Sequence, residues 1–352
     1  MSLVERRVWR LAVPLREPFI TATGVVTQRE LFLLTLEEDG ACGIGEAAPL
    51  PEHDGSDPRQ ALEALTTQRG RRPPAARACE EIARLDLEAR REGRTLCRLG
   101  SDAVPVNVTL AAGPPAEVAE HARRAVEAGF STFKLKVGLP DDSERVAAVR
   151  HAVGSWPALR VDANGRWSVE QAVAAIRALE RFDLELVEQP CATLEELREV
   201  RSRVSVAIAA DESICDAADV ERAAALEACD AVCIKLQRAG GIGPARAAIE
   251  RARERGLEPY LASMLEGPWG IAAALQLASE QQLRLACGLA TLSLLDGPVT
   301  ELLGAPEAGV LAVPDGPGLG VPCDPGTLAR LGAEVLAVTE LGRRGRRSGR
   351  SR

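Results

Sequence analysis

The feature that most constrains the fold is a repeat, in which short runs of apolar and β-branched residues alternate with Ala-, Arg- and Glu-rich stretches of helical period. The carboxyl ends of these runs recur every 23 to 27 residues, which accommodates one strand, one helix of about three turns and two connecting loops. Because every unit has the same strand-then-helix phase, the strands are predicted to be parallel. The eight runs are residues 105–110, 132–136, 158–162, 184–188, 206–211, 231–235, 258–262 and 284–288.

Eight parallel strands joined by seven helices favour a closed barrel of the TIM type, and an open doubly wound sheet is the alternative. Helix starts are predicted at Ser168, at Thr193 and at either Asp216 or Asp219, because these side chains can cap a first helical turn. No clean helix follows residue 288, so the eighth unit is expected to be atypical.

The ends of the chain do not show the repeat. Residues 1–100 are predicted to form an α+β capping region, with strands at 4–13, 30–37 and 43–47, helices at 58–67 and 75–92, and loops at 14–26 and 48–57. The barrel is assigned to residues 101–310, a C-terminal segment returning to the cap to 311–340, and a disordered basic tail to 341–352. A barrel whose substrate must be shielded from water needs such a cap, because its loops alone leave the mouth open.

Composition narrows the class of protein. The chain is 46% hydrophobic and 27% charged, which is ordinary for a globular protein. It has no apolar stretch of the ~18 residues that a membrane helix needs, and its charged N-terminus lacks a signal-peptide core. Nine cysteines without a CxxC pair are read as small buried hydrophobes in a reducing, cytoplasmic compartment. The net charge of −8, despite six arginines in the last eleven residues, argues against a nucleic-acid or membrane partner.

Charged residues end five consecutive runs. They are Lys134 with Lys136, then Asp162, Glu188, Asp211 and Lys235. Side chains alternate along a strand, so Lys134 and Lys136 share one face, and an apolar residue precedes the charged one in each later run. Because the interior of a barrel is otherwise apolar, five charged ends in register predict an active site at its C-terminal face.

The three carboxylates predict a divalent-metal site. Asp162, Glu188 and Asp211 on adjacent strands would repel one another unless a cation neutralised them. Mg²⁺, with Mn²⁺ as an alternative, suits oxygen ligands, whereas zinc is disfavoured because no histidine or cysteine ends these runs. Salt bridges from the carboxylates to the lysines, without a metal, are the other interpretation.

The lysines predict proton abstraction from a carbon acid. On a closed barrel, Lys134 and Lys136 would lie on one side of the metal and Lys235 on the other. A lysine near another cation is expected to have a lowered pKa and to act as a base near neutral pH. The metal would bind a substrate carboxylate and stabilise the enediolate formed when the α-proton leaves.

The chain resembles the enolase superfamily in its muconate-lactonizing subgroup. The resemblance covers most of residues 1–325, and it rests on the motifs GEAAP at 45–49, KLKVG at 134–138, VDANG at 161–165, VEQP at 187–190, ADES at 210–213 and IK at 234–235. A lysine base with Mg²⁺ is the pattern of active sites in that superfamily. The resemblance implies a (β/α)7β barrel with an N-terminal capping domain.

The resemblance also implies residue roles. It makes Asp162, Glu188 and Asp211 the metal ligands and Lys136 the base, with Lys134 tuning it. Lys235 would be the opposite base or a cation that stabilises the enolate. Further supporting or substrate-binding residues would be Asn164 and Glu212 beside the ligands, Ser263 and Glu266 in a segment where members differ, and Thr21 and Gly24 in a loop that closes over the substrate.

Within the superfamily, the chain looks most like the o-succinylbenzoate synthases. Mandelate-racemase-like members use a late histidine, and this chain has none beyond His151. Dipeptide epimerases usually hold the substrate ammonium with acids after the eighth strand, and here no acid follows residue 286 before Asp296. Segments 45–51, 187–193 and 286–291 resemble the actinobacterial synthases.

The expected function is therefore a Mg²⁺-dependent lyase that dehydrates a cyclohexadiene carboxylate, a small-molecule substrate, on the menaquinone route. The alternatives are a dipeptide epimerase, an N-succinylamino acid racemase, a muconate cycloisomerase, and a barrel that has lost catalysis. A homo-oligomer is compatible with the sequence.

Overall fold

The computed structural model describes residues 4–20, 25–51, 57–68, 70 and 72–341. Its strands are β1 Val4–Ile20, β2 Val25–Glu38, β3 Ala41–Ala47, β4 Ala103–Pro105, β5 Val108–Leu110, β6 Thr132–Lys136, β7 Ala158–Asp162, β8 Leu184–Glu188, β9 Ile208–Ala210, β10 Ala231–Ile234, β11 Glu258–Leu261, β12 Val310–Ala312 and β13 Glu334–Leu341. Its α-helices are α1 Pro58–Thr67, α2 Pro74–Arg91, α3 Pro115–Glu127, α4 Asp142–Val153, α5 Val169–Leu179, α6 Leu194–Arg201, α7 Ala217–Ala225, α8 Leu236–Ala239, α9 Ile242–Glu254, α10 Pro268–Gln281 and α11 Pro325–Arg330.

The cap is a four-stranded antiparallel sheet with the order β13-β1-β2-β3, and α2 packs against β3. The last described strand therefore pairs with the first, which returns the chain to the cap. The predicted loop at 14–26 is wrong in its first part, because β1 continues to Ile20 and β2 begins at Val25, with Phe19 opposite Val26. The hairpin accommodates Pro14, which has no N–H to donate, where the register shifts.

The barrel is built on a parallel sheet with the order β11-β10-β9-β8-β7-β6-β5. Residues 284–288 bridge its two edges: the Gly288 N–H donates to the Leu261 carbonyl at 2.8 Å, and the Cys287 N–H donates to the Pro105 carbonyl at 2.8 Å. The sheet is thereby curled into a ring, and the predicted (β/α)7β barrel with an α+β cap is confirmed. After residue 288 come 3₁₀ helices at Ala290–Leu294 and Pro298–Leu302, as the atypical eighth unit led us to expect.

The predicted alternation of side chains is confirmed on both faces of the barrel. Phe133, Leu135 and Val161 belong to the large core between strands and helices. A separate buried cluster fills the inside of the ring, and it contains Leu186, Ala209, Ala231, Cys233, Tyr260 and Ala262. The charged strand ends therefore stand on an apolar floor at the mouth of the barrel.

The predicted helix starts are also confirmed. Ser168 and Thr193 each form a capping box with the residue three positions later, and Asp216, rather than Asp219, caps α7 by accepting from the Ala218 and Asp219 N–H groups. These caps end the loops that follow β7, β8 and β9, so they fix where the carboxylate-bearing strand ends point. Within the described residues, no helix is long and apolar enough to cross a membrane.

Candidate active site

The charged strand ends meet at the mouth of the barrel. The Lys134 ammonium lies 2.5 Å from Glu188 Oε1 and 2.9 Å from Asp162 Oδ2. The Lys136 ammonium lies 2.7 Å from the same Asp162 oxygen, and the Lys235 ammonium lies 2.6 Å from Asp211 Oδ2. All six side chains are at least nine-tenths buried. The sequence thus identified the members of one connected cluster.

Lys136 and Lys235 approach this cluster from opposite walls. Lys136 ends β6, the second strand of the ring, and Lys235 follows β10, the sixth. In an eight-membered ring these positions face each other, so a substrate bound between them would meet one ammonium or amine on each side. This placement allows proton transfer at either face of a bound carbon acid.

The carboxylates control the protonation of the lysines. Burial favours the neutral amine of Lys134, but the Asp162 and Glu188 carboxylates outweigh it and hold the pKa of Lys134 well above its usual range. Burial is likewise outweighed at Lys235, whose pKa is raised by Asp211. The expectation of lowered pKa values is wrong for these two lysines in this arrangement, because the opposite charge that each contacts is nearer than any cation.

The pKa values of the three carboxylates shift in different directions. Burial opposes ionisation of Asp162 and Asp211, but the lysines beside them hold both pKa values below the usual range. For Glu188, burial and the two neighbouring aspartates prevail over Lys134 and raise the pKa to about 7. Glu188 is therefore the carboxylate of the cluster that most readily takes up a proton.

Three residues that sequence reasoning missed orient the carboxylates. The Tyr260 hydroxyl, on β11, donates to Glu188 Oε2 at 2.8 Å. The Gln189 side chain accepts from the Asp211 N–H at 2.8 Å, and Arg238 donates to the Asp211 carbonyl at 2.9 Å. The alternation rule could have found Tyr260, since it lies two residues before Ala262 on the inward phase. Gln189 and Arg238 follow their strands, where the period gives no signal.

Asn164 and Glu212 flank the cluster. Asn164 accepts from Lys136 at 2.8 Å and donates to Glu212 Oε1 at 2.8 Å, while its own N–H donates to Asp162 Oδ1 at 2.9 Å. It adopts a left-handed backbone conformation with φ of 48°, which lets one residue serve all three neighbours. Among the described residues, none is hydrogen-bonded to the buried Glu212 Oε2. The pair thus ties Lys136 to the carboxylates.

The donor set fits a hard divalent cation. Glu188, Asp211 and Cys233 each present one ligand atom, and these atoms lie within 4.8 Å of one another. Cys233 is a soft donor whose pKa is raised by burial, so its neutral thiol suits Mg²⁺ poorly. Asp162 is not part of this triplet, and its carboxylate lies 2.9 Å from Lys134 and 2.7 Å from Lys136. Its hard oxygens would suit Mg²⁺ better than the cysteine sulfur does.

A cavity opens over the cluster. Its polar lining comprises Thr109, Lys134, Lys136, Asn164, Asp211, Lys235, Ser263 and Thr291, and its remaining lining comprises Val26, Leu50, Ala262, Met264, Leu265 and Gly288. The structure thus brings Ser263 to the cavity, where its hydroxyl lies 2.5 Å from that of Thr291. Thr21 and Gly24, predicted to close over the substrate, lie outside the described residues.

The cap holds the loop that forms one cavity wall. Glu266 does not line the cavity: its carboxylate accepts from the Met264 N–H inside its own loop. Arg29, on β2, donates to the Met264 and Leu265 carbonyls, each at 3.3 Å, and to the Ala48 carbonyl at 3.0 Å. Residues of the cap therefore set the position of Met264 and Leu265 in the cavity wall.

Glu46 fastens the same loop at its other end. This carboxylate accepts from the Gly267 N–H at 2.6 Å and from the Gly270 N–H at 3.0 Å, at the start of α10. Its position at a helix N-terminus is favourable for a negative charge. Burial nevertheless prevails and raises the pKa of Glu46 to about 7. A cap residue in the GEAAP motif thus anchors a barrel helix behind the cavity.

A family model described as enolase C-terminal domain-like matches residues 117–327. Among curated proteins, the o-succinylbenzoate synthase of Thermobifida fusca is 42% identical over 296 residues, which cover 82% of each chain. The hydrophobic dipeptide epimerase of Enterococcus faecalis is 34% identical over 331 residues, covering 85% of this chain and 94% of the epimerase.

Solved structures show the same fold. The crystal structure of a dipeptide epimerase from Enterococcus faecalis V583, complexed with Mg and the dipeptide L-Leu-L-Tyr, matches with a TM-score of 0.85. That match has 30% identity and covers 92% of this chain and 100% of the epimerase chain. The similar proteins therefore include both a synthase and epimerases, and one of them binds Mg.

Proposed function

We propose, because this chain belongs to the family of enolase C-terminal domain-like proteins, that it is a lyase of the o-succinylbenzoate synthase type. The proposed substrate is a cyclohexadiene carboxylate with a hydroxyl group, on the menaquinone route. The reaction removes the proton α to the carboxylate and expels the hydroxyl group as water. A cytoplasmic location is part of this proposal, supported by nine cysteines that are all free.

The observation that carries the proposal is the chemistry of the cavity wall. Among the described residues that line the cavity, Asp211 is the single carboxylate, and it is already paired with Lys235. A dipeptide substrate brings an ammonium group, which needs an anionic partner when it leaves water. The remaining wall, with Leu50, Met264 and Leu265, is better suited to an uncharged ring. The higher identity to the synthase, 42% against 34%, supports the same choice.

In the proposed reaction, one lysine serves both halves of the elimination. The Lys136 amine takes the proton from the α-carbon, and the resulting ammonium gives that proton to the departing hydroxyl oxygen. The C–H and C–O bonds break, a ring double bond forms, and water leaves, so atoms and charge balance. Asn164, which accepts from Lys136 at 2.8 Å, holds the amine toward the substrate. Lys235 faces the opposite side of the substrate's ring, where its ammonium group stabilises negative charge on the substrate.

We propose that Asp162, Glu188 and Asp211 hold Mg²⁺, with Mn²⁺ as an alternative. When bound, the ion would stabilise negative charge on the substrate carboxylate. Tyr260 holds one oxygen of Glu188, and Gln189 and Arg238 hold the backbone of Asp211, so the carboxylates are oriented independently of the lysines. The Mg in the dipeptide epimerase structure supports this proposal.

The test follows absorbance during incubation of purified protein with the cyclohexadiene carboxylate precursor and Mg²⁺. The proposal predicts turnover that EDTA abolishes and that added Mg²⁺ restores. Parallel incubations contain L-Ala-L-Glu and an N-succinylamino acid, each in D₂O. A protein that is folded and stabilised by Mg²⁺ but exchanges only the dipeptide α-proton would refute the synthase proposal.

An epimerase is the second candidate, and the opposed lysines favour it. Inversion at a carbon needs a base on one face and an acid on the other, and Lys136 and Lys235 occupy opposite walls. The two candidates differ in their need for Lys235 as an acid or base. If Lys235 is an acid or base, α-proton exchange into a dipeptide or an N-succinylamino acid should be lost in both Lys235→Ala and Lys235→Arg. If Lys235 serves only as a cation, dehydration of the precursor should be lost in Lys235→Ala and kept in Lys235→Arg.

A further inference from the structure

Two cysteines that the proposed chemistry does not use meet where the C-terminal segment contacts the cap. Cys42 lies on β3, and Cys323 lies 281 residues further along the chain, just before α11. The Cys42 sulfur is 3.3 Å from the Cys323 carbonyl oxygen, and the Cys323 sulfur is 3.0 Å from the Cys42 carbonyl oxygen. Because each sulfur contacts the backbone of the other residue, the two cysteines lie side by side on adjacent segments.

Cys323 differs from the other buried cysteines in the direction in which its pKa is shifted. Burial raises the pKa of Cys97 and of Cys229 to about 12, which leaves both as unreactive thiols. At Cys323, the Cys42 thiol and the Arg90 guanidinium overcome burial and lower the pKa. At Cys42, the same contact and burial raise the pKa. Within the pair, Cys323 is therefore the more acidic thiol and Cys42 the less acidic one.

Access to the pair is limited to small molecules. Cys42 is half-buried, whereas Cys323 is 6% exposed. A hydroperoxide is small enough to reach such a thiolate, and a bulky disulfide would have to displace neighbouring chain. Susceptibility to oxidation follows thiolate character and access.

We propose that Cys42 and Cys323 form a reversible disulfide, with a hydroperoxide as oxidant, which fastens the C-terminal segment to the cap. The Cys323 sulfur attacks one peroxide oxygen, the O–O bond breaks, and the leaving oxygen departs as water or an alcohol. The resulting sulfenic acid is then attacked by the Cys42 sulfur, the S–O bond breaks, and water leaves. Two thiols are oxidised and one peroxide is reduced, so electrons and atoms balance.

The surroundings hold the two segments in register for this step. Asp86, on α2, accepts from the Ile44 N–H at 2.8 Å and from the Leu319 N–H at 2.6 Å, so it joins β3 to the C-terminal segment. The Pro322 carbonyl accepts from the Trp269 indole at 2.8 Å, which joins the same segment to α10. A disulfide would add a covalent link to a junction that these hydrogen bonds already hold together.

The link is expected to stabilise the protein strongly. It would close a loop that spans the whole barrel, and restriction of the unfolded chain increases with the length of the closed loop. It would also prevent the C-terminal segment from separating from the cap, which carries Arg29 and Glu46 against the cavity loop. Oxidation should therefore raise the melting temperature by several degrees, and a reductant should reverse that rise.

The test treats the full-length reduced protein with hydrogen peroxide at low molar excess and blocks the remaining thiols by alkylation. Non-reducing digestion and mass spectrometry then locate any cross-link. We expect two of the nine thiols to be lost, a linked peptide pair containing Cys42 and Cys323, and recovery with dithiothreitol. The matched variants are Cys42→Ser and Cys323→Ser, with Cys215→Ser as a control at the exposed cysteine.

The variants decide between the outcomes. Cys215→Ser should form the link and show the rise in melting temperature, whereas Cys42→Ser and Cys323→Ser should show neither. Native mass spectra of the untreated variants establish that each is folded. The proposal is overturned if folded wild-type protein loses no thiol, gives only a product at Cys215, or links through another pair. It is equally overturned if the link forms and the melting temperature does not rise.

Discussion

Replacing Glu46 by Gln should make the protein less sensitive to alkaline pH. The Glu46 side chain is completely buried, and its pKa is raised to about 7 mainly by that burial. A carboxyl group with a higher pKa in the folded state binds more protons than its unfolded counterpart between about pH 4.5 and pH 7. The stability of the wild type should therefore fall, relative to the variant, as the pH rises through this window.

The magnitude follows from the same displacement of the pKa. A difference of one pKa unit between the folded and unfolded states corresponds to about 1.4 kcal/mol. The rise of the Glu46 pKa from 4.5 to about 7 therefore lowers the free energy of unfolding by about 3 kcal/mol at pH 8 relative to pH 4. The amide can accept only one of the two backbone N–H groups, so Glu46→Gln should be less stable than the wild type at low pH. The difference should shrink or reverse by pH 8.

Urea unfolding at several pH values between about pH 4 and pH 8 measures this difference directly. Glu63→Gln, at an exposed glutamate on α1, is the matched control and should show a constant offset from the wild type. A constant offset for Glu46→Gln as well would show that Glu46 binds protons equally in the folded and unfolded states, so that folding does not raise its pKa. The structural reasoning about its burial would then be refuted.

Three further predictions concern the contacts around the cavity. Tyr260→Phe removes the donor to Glu188 and should weaken Mg²⁺ binding by about 10- to 100-fold in calorimetric titration; unchanged affinity would deny the hydroxyl a role at that carboxylate. Arg29→Met leaves several buried carbonyls without their donor and should lower the free energy of unfolding by more than about 2 kcal/mol in urea; a loss within about 0.5 kcal/mol would contradict the buried network. Because lysines lower the pKa values of Asp162 and Asp211, the metal-free protein should lose stability as the pH falls below about 4; thermal melts in EDTA that stay flat from about pH 5 to pH 3 would oppose this.

Much of the barrel could be predicted because its period is local. Lys134 and Lys136 had to share a face once they were assigned to a strand, and Asp162 and Glu188 followed from the same phase. The same alternation places Arg160, two residues before Asp162, on the inside of the barrel. Arg160 is fully buried there, and its guanidinium lies 5.2 Å from the centre of the Tyr260 aromatic ring. Arg160 was not predicted, because the inside of such a barrel is otherwise apolar and charged residues were expected only at the strand ends.

Other features depend on contacts that no local pattern encodes. Residues 14–26 were predicted as a loop, although β1 continues through Pro14, Arg16 and Glu17 to Ile20 and β2 begins at Val25. The position of the Glu266 carboxylate depends on the turn that its own loop makes beside the cap. The proximity of Cys42 and Cys323 requires the chain to return to its first domain after the whole barrel has formed.

The protonation of the lysines shows a different limit. Sequence proximity of Lys134 and Lys136 suggested mutual repulsion and lowered pKa values. In the folded protein each lysine lies closer to a carboxylate than the sequence could show, and the pKa values of Lys134 and Lys235 are raised instead. The order of charged residues predicts which groups meet, while the distances between their atoms decide which charge prevails.

The central claim, that Lys136 is the base that acts on a carbon acid, is tested most directly by the rate of dehydration of the cyclohexadiene carboxylate precursor by Lys136→Ala. The account predicts a loss of more than about 1000-fold in kcat, since the residue would serve as base and then as acid. Mg²⁺ binding and the melting temperature of the Mg²⁺-loaded variant should remain close to those of the wild type. A folded, Mg²⁺-binding Lys136→Ala protein that keeps the wild-type rate would contradict the account.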